Sequence, residues 1–169
     1  SLGVDPVPFK TCSLDCVYCE CGGTTKHTKE FDNYIDSKEI IQNLKEYLDN
    51  NPPHIDIITI AGSGEPTLNS GLGEIIEFIH KNYPQYKLGI LTNSASLVSK
   101  TVRDYLQVMD YVLPSIDAMV SSSFEKVNRP ADGLVCDEII DGLKEFAKDY
   151  KGNLWVEFFI LPGVNDSPK

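Results

Sequence analysis

Ile55-Asp56-Ile57-Ile58-Thr59-Ile60-Ala61-Gly62-Ser63-Gly64-Glu65-Pro66 is the stretch that sets how this chain folds. Residues 55–61 form a largely β-branched, apolar run of strand length, interrupted by Asp56, and Gly-Ser-Gly-Glu-Pro stops it with residues suited to a turn. Upstream, Asp36-Ser37-Lys38-Glu39 reads as a capped helix start. Ile40, Ile41, Leu44 and Leu48 then repeat at helical spacing as far as Asn50-Asn51-Pro52-Pro53. Downstream, Ile75, Ile76, Ile79 and Tyr83 mark the next helix, and residues 86–91 the next strand, ending at Thr92-Asn93. Residues 97–108 read as a weaker helix, and 111–113 as a short strand before Pro114-Ser115-Ile116-Asp117. Residues 136–150 form a helix with Ile139, Ile140, Leu143 and Phe146 on one face, and 154–161 a last strand stopped by Pro162-Gly163. Residues 2–7 are a first strand candidate, against which Pro6 and Pro8 argue.

Strands separated by helices of this length imply parallel pairing through right-handed crossovers, and strands with little polar alternation imply a sheet covered on both faces. The expected class is α/β. The cysteine-rich stretch, residues 62–66, Asn93, Ser115 with Asp117, and Pro162-Gly163 all follow strand ends, which places them on one rim of a parallel sheet, where such folds carry their active sites.

At 169 residues, with 41% hydrophobic and 24% charged residues, the chain fits one globular domain. Its 25 acidic residues against 15 basic ones give a net charge of −10, which argues against a nucleic-acid partner and against anionic membrane binding. No apolar run approaches the roughly 20 residues that cross a bilayer. The chain starts at Ser1 with no secretory pattern, so we expect a cytoplasmic protein trimmed at its N-terminus. Five cysteines, four of them (Cys12, Cys16, Cys19, Cys21) within ten residues, are too few and too clustered for a disulfide scaffold. Metal or cluster chemistry in a reducing compartment is the better reading.

Cys12-x-x-x-Cys16-x-x-Cys19 supplies three thiolates from one loop, enough to hold three irons of a cubane and leave the fourth open to a ligand. The alternative is a non-catalytic zinc module with Cys21 or His27 as fourth ligand. Cys21 and Cys136 otherwise read as bystanders. Arg129 follows the Ser115 strand and reads as a solvent-facing arginine, the alternative being that the loop brings it over the rim; Lys26-His27-Thr28-Lys29 is the one local basic run.

Cys12-Ser-Leu-Asp-Cys16-Val-Tyr18-Cys19 resembles the CxxxCxΦC signature of the radical SAM superfamily, with Tyr18 at the aromatic position, and Gly62-Ser63-Gly64-Glu65-Pro66 resembles its GGEP motif with serine for one glycine. The resemblance implies a partial (βα)6 barrel of TIM type, a [4Fe-4S] cluster on Cys12, Cys16 and Cys19, and S-adenosyl-L-methionine (SAM) on the open iron. Backbone groups of Ser63, Gly64, Glu65 and Pro66, beside Gly62, would hold the methionine amino group, the glycines letting the backbone approach it closely. Glu65 would add charge complementarity to that ammonium. Asn93, Ser115 and Asp117 would reach the ribose hydroxyls or the carboxylate. Tyr18 and the turn at Leu161-Pro162-Gly163 would face the adenine. Taken as residues alone, Glu65-Pro66 and Asn93 also suit turns, and Asp117 a helix cap.

The resemblance further implies an anaerobic oxidoreductase or activase-type enzyme supplied with electrons by a flavodoxin or ferredoxin. Residues 10–22 and the Gly-Ser-Gly-Glu-Pro-Thr stretch resemble iron-sulfur oxidoreductases related to tRNA wyosine-forming enzymes, and residues 155–166 resemble the activating enzymes of glycyl-radical proteins. The net charge favours a protein or small-molecule substrate over tRNA. Five strand candidates against the family's six lead us to expect a core domain over residues 1–169 that lacks its last βα unit.

Overall fold

Buried hydrophobic residues two apart on neighbouring strands, Ile58 with Ile60 and Leu88 with Ile90, give the sheet one apolar face. The computed structural model describes residues 1–50 and 54–166. It contains strands β1 (Leu2–Val4), β2 (Thr11–Cys12) and β3 (Lys26–His27), helix α1 (Ser37–Asp49), β4 (Ile57–Ile60), α2 (Leu72–Asn82), β5 (Lys87–Thr92), α3 (Lys100–Leu106), β6 (Tyr111–Pro114), α4 (Ser121–Val127), α5 (Cys136–Asp149) and β7 (Asn153–Leu154). The main sheet runs β1-β4-β5-β6-β7, and every neighbouring pair is parallel, with Val4 opposite Ile60, Ile60 opposite Ile90 and Val112 opposite Leu154. These are the five strands counted from the sequence, in chain order, so all their C-terminal ends lie on one rim. The α/β class with parallel strands is the class expected.

The helices form where apolar spacing and caps agree. Asp36 accepts a hydrogen bond from the Lys38 amide at 3.0 Å and caps α1, which buries Ile40, Leu44 and Leu48. Helix α2 buries Leu72, Ile75, Ile76 and Ile79, and α5 buries Ile139, Ile140 and Phe146. A Cβ on Gly142 would stand 2.5 Å from the Leu97 carbonyl, so glycine lets α5 lie against the short helical turn Ala95–Val98. A second, smaller core of Leu14, Ile116, Phe124, Cys136 and Ile139 lies under the cysteine loop, with Cys12 and Cys16 packed on it. Among the described residues no helix is long and apolar enough to cross a membrane.

Several expectations are corrected. The last strand, expected over 154–161, is only Asn153–Leu154 with one further bridge from Ser115 to Glu157, and among the described residues it pairs on one side alone, with β6. Trp155, Val156, Phe158, Phe159 and Ile160 are exposed. The sheet is not covered on both faces: Ile57, Thr59 and Leu113 are half-buried and Leu91 is 39% exposed. The first strand stops at Val4, short of Pro6. The helix expected over 97–108 is the turn Ala95–Val98 followed by α3. The small parallel pair β2 and β3, and α4, are additions. The expected stop at Asn51-Pro52-Pro53 and the Ser167-Pro168-Lys169 end lie outside the described residues.

Candidate active site

The cysteine loop follows β1 and is tied down by backbone. Asp15 and Val17 amides donate to the Asn128 and Val127 carbonyls, both at 2.9 Å, fastening the loop to the end of α4. Its sulfurs are not bare. Cys12 Sγ accepts from the Leu14 amide at 3.5 Å and from Asn93 Nδ2 at 3.4 Å, Cys16 Sγ from Asn128 Nδ2 at 3.3 Å, and Cys19 Sγ from Lys10 Nζ at 3.1 Å. Among the described residues, Cys21 and Cys136 receive no such donor, and the buried Cys136 thiol points instead at the Ala118 carbonyl 3.5 Å away. Burial, and after it the nearby Glu65 carboxylate, push the Cys12 thiol up to about 12, and burial also raises Cys16. Thiols held this way lose their protons readily only to a coordinated metal. Three sulfurs on one loop, each facing an N–H donor, fit an iron-sulfur cluster, whose properties those donors tune. Among the described residues no group of three or more His, Cys, Asp or Glu is arranged around a single metal ion.

The turn at residues 62–66 packs against this loop. A Cβ on Gly62 would fall 2.0 Å from the Asp5 carboxyl carbon, and one on Gly64 would fall 2.1 Å from the Thr11 carbonyl oxygen. In the described structure the glycines bring this backbone close to the chain's own Asp5 and Thr11, and Gly62 and Gly64 also line the cavity. Asp5 Oδ2 accepts from the Ser63 amide at 3.1 Å, and Thr11 O accepts from the Glu65 amide at 2.9 Å. Glu65 is 1% exposed. Its Oε1 accepts from the Thr67 amide at 3.1 Å, the Thr67 hydroxyl and the Thr92 hydroxyl at 2.7 Å, while Oε2 accepts from the Asn93 amide at 2.7 Å. Burial pushes its carboxyl up and these four donors oppose that. Glu65 thus joins the ends of β4 and β5.

These elements enclose a cavity of about 190 Å³ on the rim, lined by Cys12, Cys16, Tyr18, Gly62, Gly64, Glu65, Asn93, Ser115 and Asp117 from the expected set. Ser63, Pro66, Cys19 and Leu161 do not line it; Pro66 is buried in the single turn Pro66–Leu68, and the Leu161 amide donates to Asn165 Oδ1 at 2.6 Å. Tyr18, Asp117 and Asn128 line one wall, and Phe159 backs it from outside the cavity. The Tyr18 ring stacks on Phe159 with centroids 4.1 Å apart and planes 4° from parallel, and its hydroxyl donates to Asp117 Oδ2. Asn128 Nδ2 also reaches Asp117 Oδ2, at 2.7 Å, and the Phe159 amide donates to Asp117 Oδ1 at 2.9 Å. Burial and the Asp117 carboxylate raise the Tyr18 phenol, so it stays a donor at any physiological pH.

Asp5, Lys10, Asn128, Glu157 and Phe159 were missed from the sequence. Asn128 adjoins Arg129 in Asn128-Arg129-Pro130, and Glu157 and Phe159 stand two apart in the expected last strand, a period that puts both on one side. No sequence signal marks Asp5 or Lys10. Arg129 pairs with Asp15 at 3.4 Å and is largely exposed, and His27 is exposed on β3.

The chain matches the family model for the radical SAM superfamily over residues 7–168. A protein of Brachyspira hyodysenteriae named GTPase Obg is 41% identical over 99% of this chain and 24% of its own length. UPF0026 proteins of Synechocystis sp. and Methanocaldococcus jannaschii are 34% and 33% identical over 95% and 97% of this chain, covering 60% and 51% of their own lengths. The chain therefore spans between a quarter and three-fifths of these relatives. Among solved structures, anSMEcpe with bound AdoMet superposes with a TM-score of 0.65 at 21% identity, covering 92% of this chain and 41% of that one. TYW1 with a lysine-pyruvate adduct gives 0.61 at 19%, covering 97% and 57%. At these identities the two structures show the fold, the partial-barrel arrangement of parallel strands.

Proposed function

The chain belongs to the radical SAM superfamily, and on that premise we propose that Cys12, Cys16 and Cys19 ligate the cluster and that the rim cavity receives SAM. The cofactors of the superfamily are a [4Fe-4S] cluster and SAM. When bound, they supply an electron to the sulfonium, giving methionine and a 5'-deoxyadenosyl radical that takes a hydrogen atom from the substrate. The observation that carries the reading is the distribution of donors: the three cysteines of the CxxxCxxC spacing each face an N–H group, and among the described residues Cys21 and Cys136 face none.

The chain's own residues orient and shield. Leu14 N, Asn93 and Asn128 fix the sulfurs of Cys12 and Cys16, with Asn93 also held by donating to Ser13 Oγ at 3.0 Å. Glu65 holds the turn at residues 62–66 against β5 and leaves its backbone beside the cavity; since its own oxygens are already engaged, the methionine ammonium is assigned to that backbone rather than to this carboxylate. Ser115 lines the cavity with a hydroxyl that would meet a ribose hydroxyl, Asp117 is engaged by Tyr18, Asn128 and the Phe159 amide and so holds that side of the cavity together, and the cavity-lining Tyr18 ring, backed by Phe159, is the aromatic face assigned to the purine. The substrate is read as a protein or small molecule rather than an RNA, on the net charge of −10, and the electron as coming from a flavodoxin- or ferredoxin-type donor.

The full-length, cluster-loaded protein is expected to release 5'-deoxyadenosine from SAM under strict anaerobiosis with a chemical reductant, measured by chromatography against the Cys16→Ala protein. No product above that blank would remove the radical reading.

A further inference from the structure

Lys10 is the most deeply buried charged nitrogen-bearing side chain in the site, 2% exposed, and its ammonium meets one side chain, the sulfur of Cys19 at 3.1 Å. Among the described residues no carboxylate stands within ion-pair distance of it. A buried cation without a counter-ion costs several kcal/mol, so the position is tolerable only if a negative charge stands there in the working protein. The backbone carries a second cost. Lys10 has φ of 55°, in the left-handed region that non-glycine residues seldom enter. Its amide donates to Ser63 Oγ at 3.4 Å, and its carbonyl accepts from Thr25 and Lys26 amides at 3.2 and 3.1 Å. The conformation is held from three sides, and it delivers the side chain to Cys19.

We propose that Lys10 is a positioning residue of the cluster site, its fixed positive charge anchoring the Cys19 thiolate and favouring the reduced state of the cluster. The inference rests on the functional reading above. Cys12 and Cys16 accept from neutral donors, whereas Cys19 accepts directly from the Lys10 ammonium, whose charge also acts on Cys12 and Cys21. Reduction adds one electron, taken from the donor protein, and the added negative charge would be stabilised by the Lys10 ammonium held 3.1 Å from the Cys19 sulfur. Hydrogen bonds and burial at cluster sulfurs set iron-sulfur potentials in this way.

The test uses the full-length protein reconstituted anaerobically, with Lys10→Met removing charge and donor at nearly constant volume, and Lys10→Gln keeping a neutral donor. Potentials are read by dithionite titration with electron paramagnetic resonance, beside iron and sulfide content and circular dichroism. Both variants are expected to hold wild-type iron, with the reduction equilibrium of Lys10→Met shifted at least tenfold toward the oxidised state, about 59 mV for one electron, and Lys10→Gln shifted less. If Lys10→Met does not fold, Lys10→Gln decides, with a shift above threefold expected. A change under twofold in a folded, loaded variant would overturn the proposal, as would loss of the cluster from a folded Lys10→Met. A wild-type protein that takes up no cluster would overturn the functional reading first, and is told apart because no variant is then involved.

Discussion

The turn at residues 62–66 and the segment at residues 155–161 leave the sheet on the same rim and are held in opposite ways. In the first, a buried carboxylate gathers four donors from two strand ends, and two glycines let the backbone touch Asp5 and Thr11. In the second, five large apolar side chains stand exposed, and the backbone is tied by the Trp155 amide on the Val112 carbonyl, the bridge from Glu157 to Ser115 and the Phe159 amide on Asp117. Both begin as apolar runs of strand length. They differ in neighbours: among the described residues β4 lies between β1 and β5, whereas β7 pairs with β6 alone. Side-chain character alone does not make a strand; the partner on each edge completes it.

Substitutions can break or sharpen that contrast. The largest effect is expected at Glu65. Glu65→Ala strands the Thr67 and Asn93 amides and should cost about 3 kcal/mol or more, read as a lower midpoint in denaturant at unchanged m value. Gly64→Val follows. Its side chain would meet the Thr11 carbonyl, one residue before Cys12, so stability and iron content should fall together, by roughly 2–3 kcal/mol for the former. A variant that loses SAM binding with full iron content would show instead that Gly64 serves the ligand and not the chain. The smallest effect belongs to the exposed segment. Phe159→Ala removes the stack on Tyr18 and should cost about 1 kcal/mol or less in stability. Its readout is SAM affinity by equilibrium dialysis of the loaded protein, expected to weaken several-fold. If Phe159→Ala destabilises as much as Glu65→Ala, the two regions are not held differently.

The main sheet and the rim were legible because they repeat. Ile58 with Ile60, Leu88 with Ile90, and the helical spacing of Ile75, Ile76 and Ile79 each recur at a period that one strand or one helix requires. The cysteines and the Gly-Ser-Gly-Glu-Pro turn were legible because their spacing is local. Strands β2 and β3, of two residues each, have no period to display. Helix α4 opens with Ser121-Ser122-Ser123, poor helix formers that its packing through Phe124 and Val127 overrides. Lys10 and Asn128 owe their roles to contacts nine and 112 residues away along the chain, with Cys19 and Cys16, and Asn128 could not be placed beside Cys16 before α4 was known. The end of the last strand was misread because the sequence shows Phe158, Phe159 and Ile160 as apolar and does not show that, among the described residues, β7 pairs on one side only.

The central claim is that three particular cysteines, and not the fourth beside them, hold the cluster. Anaerobic reconstitution of the full-length protein and of its Cys12→Ala, Cys16→Ala, Cys19→Ala and Cys21→Ala variants tests it through iron and sulfide content with the broad visible absorption. The account predicts about four irons and four sulfides in the wild type and in Cys21→Ala, and loss of both in each of the other three. Loss in Cys21→Ala as complete as in Cys16→Ala, or a colourless protein that binds zinc in their place, would contradict it.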